Sequence, residues 1–342
     1  LRFRLSQFYL HICFLAILGV IVIFAFSPNL LNQLSVRDLP VLQSFKTMFL
    51  GIILESIPFI LLGIIVSSIM QIFISEAWIR KWTPQNQILG ILYACGLGVL
   101  FPVCECGMIP VVRRLMAKGM PLYIGVVFMM VGPILNPVVY AATFTAFRTR
   151  PEMVYARMGL ALFVGCCIGL IVYYFVTNNP LKSSISVSEK DHQHQDNHHN
   201  PQHQHTNGNK LYAVLEHACG EFFDMGKYLI IGSIVTAFIQ AFIPRSDLLA
   251  IGQDGASSHL FMMGLAYVLS LCSTSDAFVA ASFANTFSAG SLLTFLVFGP
   301  MIDFKSTLML LAVFRARFVL LLAIWIILSV FVGANVIAQM FL

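Results

Sequence analysis

Residues 101–110 read FPVCECGMIP. Two thiols, Cys104 and Cys106, flank one carboxyl, Glu105, in a stretch broken by prolines and a glycine. Paired thiols at this spacing suit a soft metal ion or a trivalent metalloid, because soft ions prefer thiolate. An ionised Glu105 in hydrocarbon costs about 2.5 kcal/mol or more, so it must pair, bind a proton or line water. A second polar cluster, SLCSTSDAF at 270–278, supplies Cys272, Ser273, Thr274 and Asp276. Its hydroxyls can satisfy freed backbone groups, and Asp276 is an intramembrane acid, which marks a functional site by default.

Four more polar residues stand in apolar surroundings. Glu55 and Asp224 form one pair, and Asn136 and Asp303 form another. Lys227 follows Asp224 by one turn and Lys305 follows Asp303, so salt bridging within a bundle is one role. Proton coupling by Asp276, Glu55, Asp224 and Asp303 is the other, since protonation changes the solvation cost of a carboxyl. Solute contact is expected from Cys104, Glu105, Cys106, Cys272, Ser273, Thr274 and Asn136.

The elements that must carry these residues are membrane helices. Of 342 residues, 58% are hydrophobic and only 10% charged, well below the roughly 25% usual for soluble domains. Apolar runs long enough to span a bilayer, which takes about 20 residues, fall near 8–26, 47–75, 86–117, 120–146, 153–176, 211–243, 259–287, 290–313 and 318–341. The runs at 86–117 and 259–287 are interrupted by the two polar clusters. The fold class is therefore an all-α polytopic membrane protein, expected at the plasma membrane. The net charge of +5 reflects loop Lys and Arg, as membrane topology requires, and does not point to nucleic acid. Eight cysteines lie mostly inside apolar runs, which excludes a scaffold of paired loop cysteines.

A polar stretch containing SVSEKDHQHQDNHHNPQHQHTNGNK divides the chain. It cannot bury a core. Its six histidines, His192, His194, His198, His199, His203 and His205, suit weak binding of zinc, nickel or copper. The two sides of this linker match in order. ESIPFILLGIIVSSIMQIFI at 55–74 pairs with DMGKYLIIGSIVTAFIQAFI at 224–243, GPILNP with GPMIDF, and FRTR with FRAR. The organisation read from this is an extra N-terminal span and loop (1–44), a first permease repeat (45–176), the His-rich linker (177–210) and a second repeat (211–342). Interrupted segments at equivalent places in two halves point to a transporter's binding site. The Lys and Arg distribution favours interrupted segments that re-enter rather than cross. Three full spans would then remain in each half, and the repeats would be inverted.

With these motifs in place, the sequence resembles the YraQ/ArsP-like predicted permease family. The matching signatures are FPVCECGMIPVVRRL at 101–115, GPILNPVV at 132–139, CSTSDAF at 272–278 and FGPMIDFKS at 298–306. The resemblance implies a plasma-membrane permease with two related halves, in a family whose characterised members expel trivalent organoarsenicals through membrane cysteines. Some relatives are encoded beside a second, smaller membrane protein.

The expected function is an integral-membrane secondary permease for a small solute, a metal, metalloid or thiol-reactive species, coupled to protons. It is not an enzyme and has no cofactor; no Walker A motif is present for ATP hydrolysis. Its partners are the lipid bilayer, the solute, a second small membrane protein and a further copy of the chain, with no nucleic acid. Two readings compete. One is a membrane-embedded thiol oxidoreductase using Cys104, Cys106 and Cys272, against which Cys-x-Cys is not the Cys-x-x-Cys redox spacing. The other is a non-transporting subunit or a metal sensor built on the histidines.

Overall fold

The computed structural model describes residues 40–73, 75–84, 86–101, 104–176, 180, 207–242 and 255–341. The expected first span and the His-rich linker's six histidines lie outside the described residues. Those described fold as helices with no strands.

The first half holds α1 (Pro40–Phe73), α2 (Glu76–Trp82), α3 (Gln87–Leu100), α4 (Glu105–Ala117), α5 (Leu122–Val131), α6 (Pro137–Ala146) and α7 (Glu152–Phe175). The second half holds α8 (Asn207–Phe242), α9 (Gly255–Leu269), α10 (Ser275–Ser282), α11 (Ala289–Met301), α12 (Phe304–Val313) and α13 (Ala316–Phe341). Five segments are long and apolar enough to cross a membrane: Gln43–Met70, Glu152–Phe175, Ala218–Ala241, Ala289–Val313 and Ala316–Met340. Their outward faces carry large apolar side chains such as Leu54, Phe163, Phe238 and Leu320, as lipid requires. The protein is a multi-pass helical membrane protein.

Close contacts fix the direction of each helix. Gly90 abuts Tyr123 and Ile124 while Gly98 abuts Gly132, so α3 and α5 run parallel. Gly125 abuts Val112 and Met116 while Gly132 abuts Met108, so α4 runs against both. The chain thus enters along α3 and returns along α4. Gly165 abuts Val131 and Gly169 abuts Val127, so α7 runs back along α5.

The second half also contains a parallel helix pair and a hairpin. Gly290 abuts His259 and Gly299 abuts Ala266, which makes α9 and α11 parallel. The rings of Phe261 and Phe287 stack at 5.7 Å, so the chain beyond α10 has come back to the start of α9. Across the halves, Gly333 abuts Leu160 and Phe163, and Phe175 meets Trp325 at 6.5 Å; α7 and α13 are therefore antiparallel. Gly290 also abuts Ala338, so α11 runs against α13, and the two hairpins, α3/α4 and α9/α10, point in opposite directions along the bundle.

Two apolar runs that read as continuous in the sequence, 120–146 and 290–313, are each divided by a short non-helical step. The first gives way at Gly132–Asn136 between α5 and α6, and the second at Ile302–Asp303 between α11 and α12. Pro133 and Pro137 account for the first, because proline lacks the N–H that would continue the ladder and restricts the residue before it. The second depends on Asp303. Its side chain accepts from the Ser306 N–H while the Ser306 hydroxyl accepts from the Asp303 N–H, a capping box that starts a new helix inside an apolar run.

Candidate functional site

Each hairpin tip has its own local cause. At the first, Phe101, which precedes a proline in the sequence, is extended, with φ −104° and ψ 95°, as a residue before proline prefers. α4 then starts at Glu105 with Cys104 as its N-cap. Pro110 inside α4 leaves the Cys106 carbonyl without its ordinary helical partner. At the second tip Ser270 adopts φ 46°, in the left-handed region, which for a residue with a Cβ costs of order 1–3 kcal/mol. Gln240 of α8 donates to the Leu269 carbonyl at 2.7 Å and so satisfies part of the end of α9.

Glycine permits the first tip to sit where it does. A Cβ added at Gly63 of α1 would lie 2.5 Å from the Gly107 carbonyl oxygen, and one at Gly98 would lie 2.5 Å from the Gly132 Cα. Both contacts are backbone against backbone, so α1, α4 and the α3/α5 pair close around the break.

The tips bring the expected residues together. The Cys104 and Cys106 thiols lie close to one another. Glu105 is buried and stands within electrostatic reach of Lys305, Asp303 and Glu55. Cys272 is buried near Glu105 and Glu55, and the Thr274 hydroxyl donates to its sulfur at 3.6 Å. The Ser275 hydroxyl donates to Glu55 Oε1 at 2.9 Å, joining α1 to the second tip. Lys305, buried on α12, neighbours Cys106, Asp303, Glu105 and Cys104. Ser273 is buried, and its carbonyl accepts from Arg157.

Four half-helices, α4, α6, α10 and α12, carry Glu105, Asn136, Asp276 and Asp303 in or just before their first turns. Anionic and polar groups are favoured there by the partial positive charge of a helix N-terminus. Asn136 uses its Oδ1 to cap α6, accepting from the Val138 N–H at 2.8 Å. One oxygen of each acid, Glu105 Oε2, Asp276 Oδ1 and Asp303 Oδ2, is buried without a hydrogen-bond partner.

Asp224 stands apart from this group. It is half exposed on α8 and pairs with Lys227 at 3.1 Å. Among the described residues no three His, Cys, Asp or Glu side chains come close enough to hold one metal ion. The cysteines described are all free thiols.

Two buried charged networks escaped the sequence reading. Arg157 of α7 is fully enclosed. Its Nη1 donates to Thr143 Oγ1 at 2.8 Å, and its Nη2 donates to the Ser273 carbonyl at 3.1 Å and to Asp276 Oδ2 at 2.7 Å. The signal was a lone cation inside an apolar span, which in a membrane protein is a functional flag. The second network lies nearer the linker end of the bundle. Glu221 of α8 accepts from Ser67 Oγ of α1 at 3.1 Å and stands 3.6 Å from Arg114 Nε of α4. Glu221 sits among Glu216, His217 and Asp224, and nothing in that polar neighbourhood singles it out.

Comparison with known proteins places this architecture. A predicted-permease family of the ArsP type matches residues 41–339. The chain is 49% identical over 288 residues to the UPF0718 protein YcgR of Bacillus subtilis (strain 168), covering 84% of this chain and 95% of that protein. It is 38% identical over 273 residues to the putative two-component membrane permease complex subunit of Streptococcus mutans serotype c (strain ATCC 700610 / UA159), covering 80% and 88%. No solved structure matches the chain significantly. With its signature motifs at the two hairpin tips and the two helix breaks, and the match running over nearly its whole length, the chain belongs to the ArsP-type predicted permease family, a family of membrane permeases.

Proposed function

We propose that the chain is a secondary permease that moves a thiol-seeking small solute through the centre formed by the two hairpin tips, coupled to protons carried by buried carboxyls. The observation that carries this reading is the meeting of Cys104, Glu105 and Cys106 with Cys272 and Asp276, delivered by hairpins that point in opposite directions along the bundle. Inverted halves with broken helices at mid-depth are a recurrent basis for alternating access. The opposed hairpins, and the helix breaks at Gly132–Asn136 and Ile302–Asp303 in the two halves, support the two segments 45–176 and 211–342 as inverted repeats.

The donor set favours a species held by two thiols over a caged metal ion. Cys104 and Cys106 lie close together, whereas among the described residues no third ligand joins them closely enough to complete a metal site. The three unpartnered carboxyl oxygens stand singly, and a proton is the smallest ligand that satisfies one oxygen at a time. Glu105 and Asp303, both beside Lys305, are the first candidates for that role, and Asp276 is the third. Glu55 bridges to the second tip as a positioning group. A thiol oxidoreductase is less well supported, because the family relationship is to permeases and no redox-spaced pair is present. The name of the Streptococcus mutans relative supports a second membrane subunit as partner.

Protection from labelling tests the solute assignment. Purified protein, alone and with its partner subunit, is treated with a small water-soluble maleimide with and without a trivalent phenylarsenical. Protection of Cys104 and Cys106, lost for the arsenical in Cys104→Ser, is the expected outcome. Equal labelling of both thiols with and without the probe would remove thiol-seeking solutes from the assignment.

A further inference from the structure

We infer that the first half holds a membrane phospholipid, with one acyl chain lodged between α1, α3 and α4 and its headgroup at α2. The site is separate from the thiol centre and independent of the transported solute.

A cavity of about 300 Å³ lies there, at the lower end of the range for small-molecule sites. Its walls include Val66 and Met70 of α1, Tyr93 and Leu97 of α3, and Val111 and Leu115 of α4. It exists because α1 packs along α4 and leaves a gap in front of α3. The lining is almost wholly apolar, so water is a poor occupant: a buried water needs two to four polar partners. Two of its wall residues, Trp82 and Leu100, are also 57% and 72% exposed on the outer surface. The cavity is therefore a crevice that faces lipid.

Its dimensions and polarity fit one chain of one leaflet. From Tyr93 to Leu100, and again from Met108 to Leu115, the helices rise about 10 Å. Trp82, Thr83 and Met120 carry the crevice on to the level of the helix ends. The total approaches half of the hydrocarbon core, about 15 Å. At the outer end lies α2, with Trp82 at the mouth and the exposed cation Lys81 beside it in the chain. Trp at the interface beside a cation is the arrangement that anchors an anionic headgroup. The inner end is closed by Phe101 and Met108, next to the Cys104 tip. A chain seated here seals the thiol centre against the bilayer and fills the gap into which the first hairpin would otherwise lean.

Trp82 is itself the probe. In a Trp78→Phe, Trp325→Phe protein reconstituted in phosphatidylcholine, brominated phosphatidylglycerol is titrated against brominated phosphatidylcholine. The anionic lipid is expected to quench Trp82 at about tenfold lower mole fraction. Leu97→Phe with Leu115→Phe, which fills the crevice, should abolish that preference. Native mass spectrometry should find one anionic phospholipid retained by the parent protein and none by the filled variant. If the filled variant fails to fold, Lys81→Gln serves instead and should equalise the two lipids. Equal quenching by both headgroups in the parent protein, or an unchanged preference in the filled or neutralised variant, would overturn the site.

Discussion

Arg157 Nη2 lies 2.7 Å from Asp276 Oδ2, and both side chains are buried. The contact spans the two halves of the chain. It ties the second hairpin tip to α7 and, through Thr143, to α6. An unpaired charge left in this environment would be costly, so the pair is a structural tie as well as part of the candidate centre.

Removing one partner should therefore destabilise the fold. Arg157→Ala is expected to lower stability by about 3–5 kcal/mol, the usual consequence of stranding a buried charge. Asp276→Asn should also be destabilising, although the amide keeps size and hydrogen bonding. The double variant Arg157→Gln, Asp276→Asn should lose less than the sum of its singles. Thermal unfolding of detergent-solubilised protein reads this cycle, and strict additivity would mean the contact contributes nothing.

Close backbone approach makes a different prediction. Gly63→Leu forces a side chain into the Gly107 backbone. Overpacking of this kind costs about 1–3 kcal/mol, and here it must push α1 away from the first tip. The variant should show a lower unfolding temperature and faster maleimide labelling of Cys106. Gly51, where an added Cβ meets nothing within 4 Å, is the matched control and should tolerate alanine with neither change.

The Glu221, Ser67 and Arg114 network joins α8, α1 and α4 between the first tip and the linker end of the bundle. Opening on that side requires α4 to separate from α8. Glu221→Gln weakens the closure while keeping the hydroxyl contact. Labelling of Cys106 by a membrane-impermeant maleimide added from the linker side should rise severalfold. No change in the labelling rate from that side would assign the network to packing alone.

Much of this was legible in the residues, and the gaps have physical causes. The interrupted segments around Cys104 and Cys272 announce themselves because polar residues, prolines and small residues cluster inside otherwise apolar runs. Asn136 and Asp303 were visible as polar positions, yet their capping roles were not. A capping aspartate and a membrane-buried functional aspartate look alike until the N–H groups they face are known. Asp224 reads as the counterpart of Glu55 in sequence. Only packing shows that Glu55 reaches Ser275 while Asp224 turns to Lys227 at the surface. Arg157 pairs with a residue 119 positions away, a separation at which no local pattern could name the partner. The breaks at 132–136 and 302–303 were hidden because the flanking residues are as apolar as a continuous span.

The central claim is that the facing hairpin tips carry a thiol-seeking solute together with protons. The most direct measurement is proton movement in proteoliposomes holding a pH-sensitive dye, driven by a gradient of trivalent phenylarsenical across wild type, Cys104→Ser/Cys106→Ser and Glu105→Gln proteins. Arsenical-driven proton movement should be present in wild type, absent in the thiol variant and at least tenfold lower in Glu105→Gln. Undiminished coupled movement in both variants would contradict the account.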